Sequence, residues 1–267
     1  MNAPTPEEEA ELERSKAPLL EHLVELRTRI IRSLIVFFAA FLLCYFFAKD
    51  IYGFLVQPLA DALAGQPNRH LIFTALYETF FTYVKVAMFG AICVAFPYIA
   101  AQLWLFIAPG LYKNERRAFL PFLFASPAMF LLGASFVYYL MLPYAIRFFL
   151  GFESPGGHGT LPIELQAKVG EYLSFVMTLI FGFGLCFQLP VLLTLLGRVG
   201  LISSAQLAGA RRYAIVGVFA VAAILTPPDA FSMLSLALPL VALYEISILC
   251  VRRIEKKRAE EAAAHTS

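Results

Sequence analysis

Six long apolar stretches, each bounded by charged residues, take up most of this 267-residue chain and decide the solvent in which it folds. A helix rises about 1.5 Å per residue and a bilayer's hydrocarbon core is about 30 Å thick, so about 20 mostly apolar residues make one crossing. The stretches predict spans near 30–48, 81–108, 118–142, 172–196, 213–226 and 231–251. Hydrophobic residues make up 60% of the chain, and the loops between spans are too short for a separate soluble domain. The expected fold is therefore an all-α polytopic membrane protein of six transmembrane helices.

Lysine and arginine fall unevenly about these spans. Arg14, Lys16, Arg27, Arg29 and Arg32 lie at the N-terminal side, joined by Lys113, Arg116 and Arg117, by Arg198, Arg211 and Arg212, and by the run Arg252 to Arg258. The opposite side holds Lys49, Arg69, Arg147 and Lys168, with Lys85 just inside the second span. Cytoplasmic loops carry the excess of positive charge, so both termini are expected in the cytoplasm. A net charge of +2 hides this asymmetry. It points to anionic lipid headgroups and not to nucleic acid. The acidic start (Glu7 to Glu13) lacks the basic lead of a cleavable signal peptide, and residues 1–17 and 254–267 are expected as disordered cytoplasmic tails flanking a membrane domain at 18–253.

The histidines, His22, His70, His158 and His265, all lie outside the spans, which argues against an intramembrane Ser/His pair, a metal site or an enzyme. No phosphate-binding glycine loop is present, and no cofactor is expected. Cys44, Cys93, Cys186 and Cys250 sit in apolar spans without paired spacing and read as small buried hydrophobes. Pro97, Pro127, Pro190 and Pro239 fall inside spans, where each removes a backbone hydrogen bond. Several kinked helices would form a bent bundle with a concave face. The fifth span is short, roughly 20 Å, so either the bilayer thins beside it or protein covers its end.

Intramembrane polar groups are few and are candidate sites for that reason. Gln188 lies midway along the fourth span, two residues before Pro190, where it can satisfy a backbone carbonyl, and Glu245 lies near the end of the sixth. At the basic end, Pro18 suits a helix start. From there Leu19, Leu23, Leu26 and Ile30 form an apolar stripe and His22, Glu25, Arg29 and Arg32 a polar one, which predicts an interfacial helix at 18–29. Glu25 stands four residues before Arg29, an ordinary helical ion pair. Glu115 lies in a loop among Lys113, Arg116 and Arg117. Two carboxylates on an otherwise basic face can also accept guanidinium groups bidentately.

At these residues the chain resembles a known family. The segments His22 to Ile30 (HLVELRTRI), Gln102 to Arg117 (QLWLFIAPGLYKNERR), Tyr172 to Gly184 (YLSFVMTLIFGFG) and Leu225 to Ser232 (LTPPDAFS) are similar to TatC, the multispanning core of the twin-arginine protein translocase. The resemblance spans about 19–253. It implies a receptor for signal peptides with consecutive arginines on folded cargo, with Glu25 and Glu115 as acceptors and Arg27, Phe106 and Lys113 shaping the site. It further implies single-span partners TatA and TatB docking near Thr226, Asp229 and Met233, several copies per complex, an inner-membrane location, and transport driven by the proton motive force. The chain departs from the family pattern in two places. Gln188 stands where many members have glutamate, leaving a hydrogen-bonding group in place of a titrating one, and Met233 stands where many have glutamine. The competing class, a proton-coupled solute transporter, would show a midplane site and repeated halves; the midplane here offers essentially Gln188, and no repeat is visible.

Overall fold

The computed structural model describes residues 6–64, 69–107, 116–157, 161–226 and 230–266. In order, the helices are α1 Pro6–Phe46, α2 Ala48–Ala62, α3 Glu78–Ile107, α4 Arg116–Phe136, a π-helical turn Val137–Met141, α5 Leu142–Leu150, α6 Val169–Cys186, α7 Leu189–Val199, α8 Ser204–Gly209, α9 Arg211–Leu225 and α10 Ala230–Thr266. Strand-like pairing among the described residues is confined to two isolated bridges, Ile72 with Lys168 and Ser154 with Ile163.

Among the described residues, five stretches are long and apolar enough to cross a membrane: His22–Phe46, Glu78–Phe106, Pro121–Leu150, Val169–Val199 and Ser232–Glu260. The sixth expected span is α9, whose 15 residues rise about 22 Å. Its far end closes inside protein, because Thr226 is only 6% exposed. Several limits differ from the sequence reading. Helix starts at Pro6, inside the segment expected as a tail, and runs through Pro18 into the first span without a break. Its opening turns are rich in glutamate, alanine and leucine, which are strong helix formers, and acidic residues suit a helix N-terminus. α10 likewise continues through the expected C-terminal tail as far as Thr266. The third span runs past Leu142 to Leu150, because the π turn inserts a wider coil and the helix continues through Pro143 at the start of α5.

Pro190 coincides with a true interruption: α6 stops at Cys186, and α7 restarts with proline in its first turn, where the missing N–H costs nothing. Pro97, Pro127 and Pro239 are carried inside α3, α4 and α10.

The core is built where α4, α6, α2 and α10 meet. Phe130, Phe183, Leu142, Leu173, Leu179, Leu236 and Leu240 are all essentially inaccessible, and Phe96 stacks on Phe130 with ring centroids 4.0 Å apart. Close approach of α4 and α6 depends on two glycines. A Cβ on Gly133 would lie 2.8 Å from the Phe183 carbonyl oxygen, and one on Gly184 would lie 2.5 Å from the Phe130 ring. Without a hydrophobic drive between helices in lipid, such small-residue contacts supply much of the packing.

The end of the bundle away from Glu25 is pinned by α2. Tyr138 Oη donates to the Phe54 carbonyl at 2.7 Å and Tyr172 Oη to the Leu55 carbonyl at 3.2 Å. Beside it, the Arg69 guanidinium meets Glu153 fork-on-fork, at 2.8 Å and 2.9 Å, and Glu153 also accepts from the Leu165 backbone N–H at 2.8 Å. These donors, the Arg69 side chain foremost, hold the Glu153 carboxyl below the usual range. Glu78 caps the segment entering α3 by accepting from the Thr74 N–H at 2.8 Å.

Candidate functional site: a carboxylate cluster at the basic end

His22, Glu25 and Arg29 fall at i, i+3 and i+7, one face of α1, and Gln102 and Phe106 fall at i and i+4 on α3. The two faces meet. The His22 imidazole stacks on the Phe106 ring, centroids 4.2 Å apart and planes 13° from parallel. Glu25 Oε1 accepts from Arg29 Nε at 3.0 Å and from Arg29 Nη2 at 2.5 Å. The third guanidinium nitrogen, Nη1, donates to Gln102 Oε1 at 3.0 Å. Glu25 Oε2 faces His22 Nδ1 at 3.8 Å, beyond ordinary hydrogen-bond length. A carboxylate is thus held at the mouth of the bundle, one-third exposed and partly neutralised from within.

Of the residues expected at the signal-peptide site, Glu25 and Phe106 are brought together through His22. Arg27 is not: two residues on from Glu25, it points about 200° round the helix and is exposed. Lys113 and Glu115 lie outside the described residues. Gln102 went unassigned in the sequence reading; its signal was present in the QLWLF segment, where it stands one helical turn before Phe106.

The other candidates are dispersed. Gln188, at the α6–α7 break, clasps α4: its Oε1 accepts from Ser126 Oγ at 2.7 Å and its Nε2 donates to the Ser126 carbonyl at 2.8 Å. The carbonyl it serves belongs to Ser126 on α4 and not to the turn before Pro190 on its own span. Glu245 pairs fork-on-fork with Arg211, at 2.7 Å and 3.0 Å, tying α9 to α10. Thr226 donates to the Ala222 carbonyl at 2.9 Å and ends α9, and Met233 packs half-buried against the main core. Asp229 lies outside the described residues.

A second set of polar contacts binds the basic end. Ser203 and Gln206 form a capping box for α8. The Ser204 N–H donates to Glu255 Oε1 at 2.8 Å, and its hydroxyl donates to the other carboxylate oxygen. Tyr244 Oη donates to the Leu207 carbonyl at 2.8 Å, and Arg258 donates to the Arg198 carbonyl. From Tyr244 to Arg258, α10 thus straps the loop between α7 and α9.

Fold and site together define a multi-pass helical membrane protein with one basic end, where a half-open carboxylate is supported by two packed spans. Residues 21–239 match the family model described as Sec-independent protein translocase protein (TatC). The chain is 48% identical to the Sec-independent protein translocase protein TatC of Magnetococcus marinus, over 93% of this chain and 89% of that one. It is 43% identical to the TatC of Rickettsia prowazekii, over 89% and 94%. A crystal structure described as the twin-arginine translocase receptor TatC superposes with a TM-score of 0.74 at 36% identity, covering 88% of this chain and 99% of that one. The chain belongs to the TatC family and is a component of the Sec-independent protein translocase.

Proposed function

We propose that this chain is the membrane receptor for twin-arginine signal peptides, with Glu25 and Glu115 each accepting one guanidinium. The observation that carries the reading is Glu25 itself. It already binds a guanidinium, that of Arg29, yet it engages only one carboxylate oxygen in doing so. Its place on the basic end suits selection, because a random polybasic segment is repelled unless its arginines fit the acceptors. The His22–Phe106 stack forms an apolar wall beside the carboxylate, Lys113 and Arg27 add to the surrounding positive field, and the signal's apolar part would follow the concave inner-leaflet face. A solved relative described as the twin-arginine translocase receptor supports the same reading.

In this reading the protein lies in the cell inner membrane with both termini cytoplasmic, placing Glu25 where unexported cargo resides. TatB and TatA dock their single spans near Thr226, Asp229 and Met233, and several copies assemble around the cargo. Transport draws on the proton motive force and uses no nucleotide. Photo-crosslinking of a twin-arginine signal peptide to membranes bearing this protein tests the reading. Crosslinks to α1 near Glu25 should weaken with Glu25→Ala and Glu115→Ala and with a twin-lysine peptide. Crosslinks indifferent to all three changes would reduce both glutamates to surface ion pairs.

A further inference from the structure

Among the described residues three glutamates, Glu25, Glu153 and Glu245, pair with an arginine, and they do so differently. Glu153 meets Arg69, and Glu245 meets Arg211, with one nitrogen on each carboxylate oxygen. Those are closed pairs, the strongest geometry available to the two groups. Glu25 departs from this. Arg29 places both Nε and Nη2 on the single oxygen Oε1 and spends its remaining edge on Gln102, leaving Oε2 facing only His22 at 3.8 Å. The pair lies at the edge of the fold, where a shared guanidinium can exchange between its two acceptors without unburying a charge.

We propose that Arg29 is an internal stand-in for a signal arginine: it occupies the Glu25 carboxylate in the empty receptor, and an arriving guanidinium takes that carboxylate by displacing Arg29 onto Gln102. This rests on the reading of Glu25 as a guanidinium acceptor and adds a competitor to it. The competitor is tethered one helical turn away, so it is always present at high local concentration. The peptide's apparent affinity is reduced by the fraction of receptors in which Arg29 holds the carboxylate. Gln102 keeps that reduction small by giving Arg29 a second neutral acceptor, and a neutral amide, unlike a carboxylate, cannot draw Arg29 away permanently.

The test is equilibrium binding of a fluorescent twin-arginine signal peptide to purified full-length protein in detergent, with five variants whose folding is checked by thermal unfolding. Arg29→Gln should tighten binding about two- to fivefold, the size of an exposed ion pair released from competition. Arg29→Lys, which keeps the charge and loses the planar fork, should fall between it and wild type. Arg32→Gln removes the same charge one turn away and should leave affinity unchanged. In a Glu25→Ala background, Arg29→Gln should no longer tighten binding. Weaker or unchanged binding in folded Arg29→Gln, with Glu25→Ala still damaging, would overturn the stand-in while leaving the receptor reading in place. Equal tightening by Arg32→Gln would reduce the effect to bulk charge. Binding indifferent to Glu25→Ala would instead sink the receptor reading itself.

Discussion

Gln188 shows how much a single side chain settles in this molecule. Both ends of its amide meet Ser126, whose side chain is 1% exposed, so replacing it with leucine strands a buried hydroxyl and a carbonyl. Gln188→Leu should cost about 1–3 kcal/mol, seen as a lowered melting temperature in detergent. Gln188→Glu keeps the acceptor and loses the donor to the carbonyl, and it should fall between the two. The glutamine's position as a lone polar residue in an apolar span was legible in the sequence. Its partner was not, because Ser126 is separated from it by 62 positions and nothing local marks a serine in an apolar run. Gln102 is similar: its place one turn before Phe106 can be read from the sequence, and only the packing of α1 on α3 shows that it meets Arg29.

At the scale of elements, the spans were readable because hydrophobicity over 20 residues integrates a large signal. Their ends were not. α2, α5 and the extension of the third span are amphipathic or proline-led segments, which read as loop until packed against the bundle. Close contact of α4 with α6 was likewise invisible, since Gly133 and Gly184 look like any other membrane glycines. Gly133→Ala forces a Cβ to within 2.8 Å of the Phe183 carbonyl, a backbone atom that cannot swing aside. The substitution should cost about 1–3 kcal/mol by overpacking and lower the melting temperature. Gly53→Ala, where nothing lies within 4 Å, serves as the control and should leave it unchanged. The strap from α10 to the α7–α9 loop makes a separate forecast. Glu255→Ala should loosen residues 200–210, raising their amide exchange, while the exchange of α6 stays the same.

For the whole molecule, the clasp between Arg69 and Glu153 at the end away from Glu25 is a fastening that responds to acid. Glu153 is held below its ordinary pKa by Arg69, so its clasp stabilises the fold in full above the unfolded carboxylate range. That contribution fades as pH falls from that range through the lower folded value. The melting temperature of Glu153→Gln should therefore lie below wild type at pH 7, and the gap should close on acidification below about pH 4. The placement of Lys and Arg predicts the orientation of the bundle, with the end that holds Glu25 in the cytoplasm. In a chain freed of its native thiols, Leu161→Cys should label from outside intact cells with an impermeant maleimide, and Gly209→Cys only after lysis. In the proposed receptor, two carboxylates at the basic end, Glu25 and Glu115, recognise guanidinium groups by their shape. The most direct measurement is the affinity of purified protein for twin-arginine and twin-lysine peptides, in wild type, Glu25→Gln and Glu115→Gln. Wild type should favour arginine about tenfold or more, a difference of the size of charge-assisted bidentate bonds, and either substitution should erase most of that preference. An arginine preference that survives Glu25→Gln and Glu115→Gln unchanged would contradict the account.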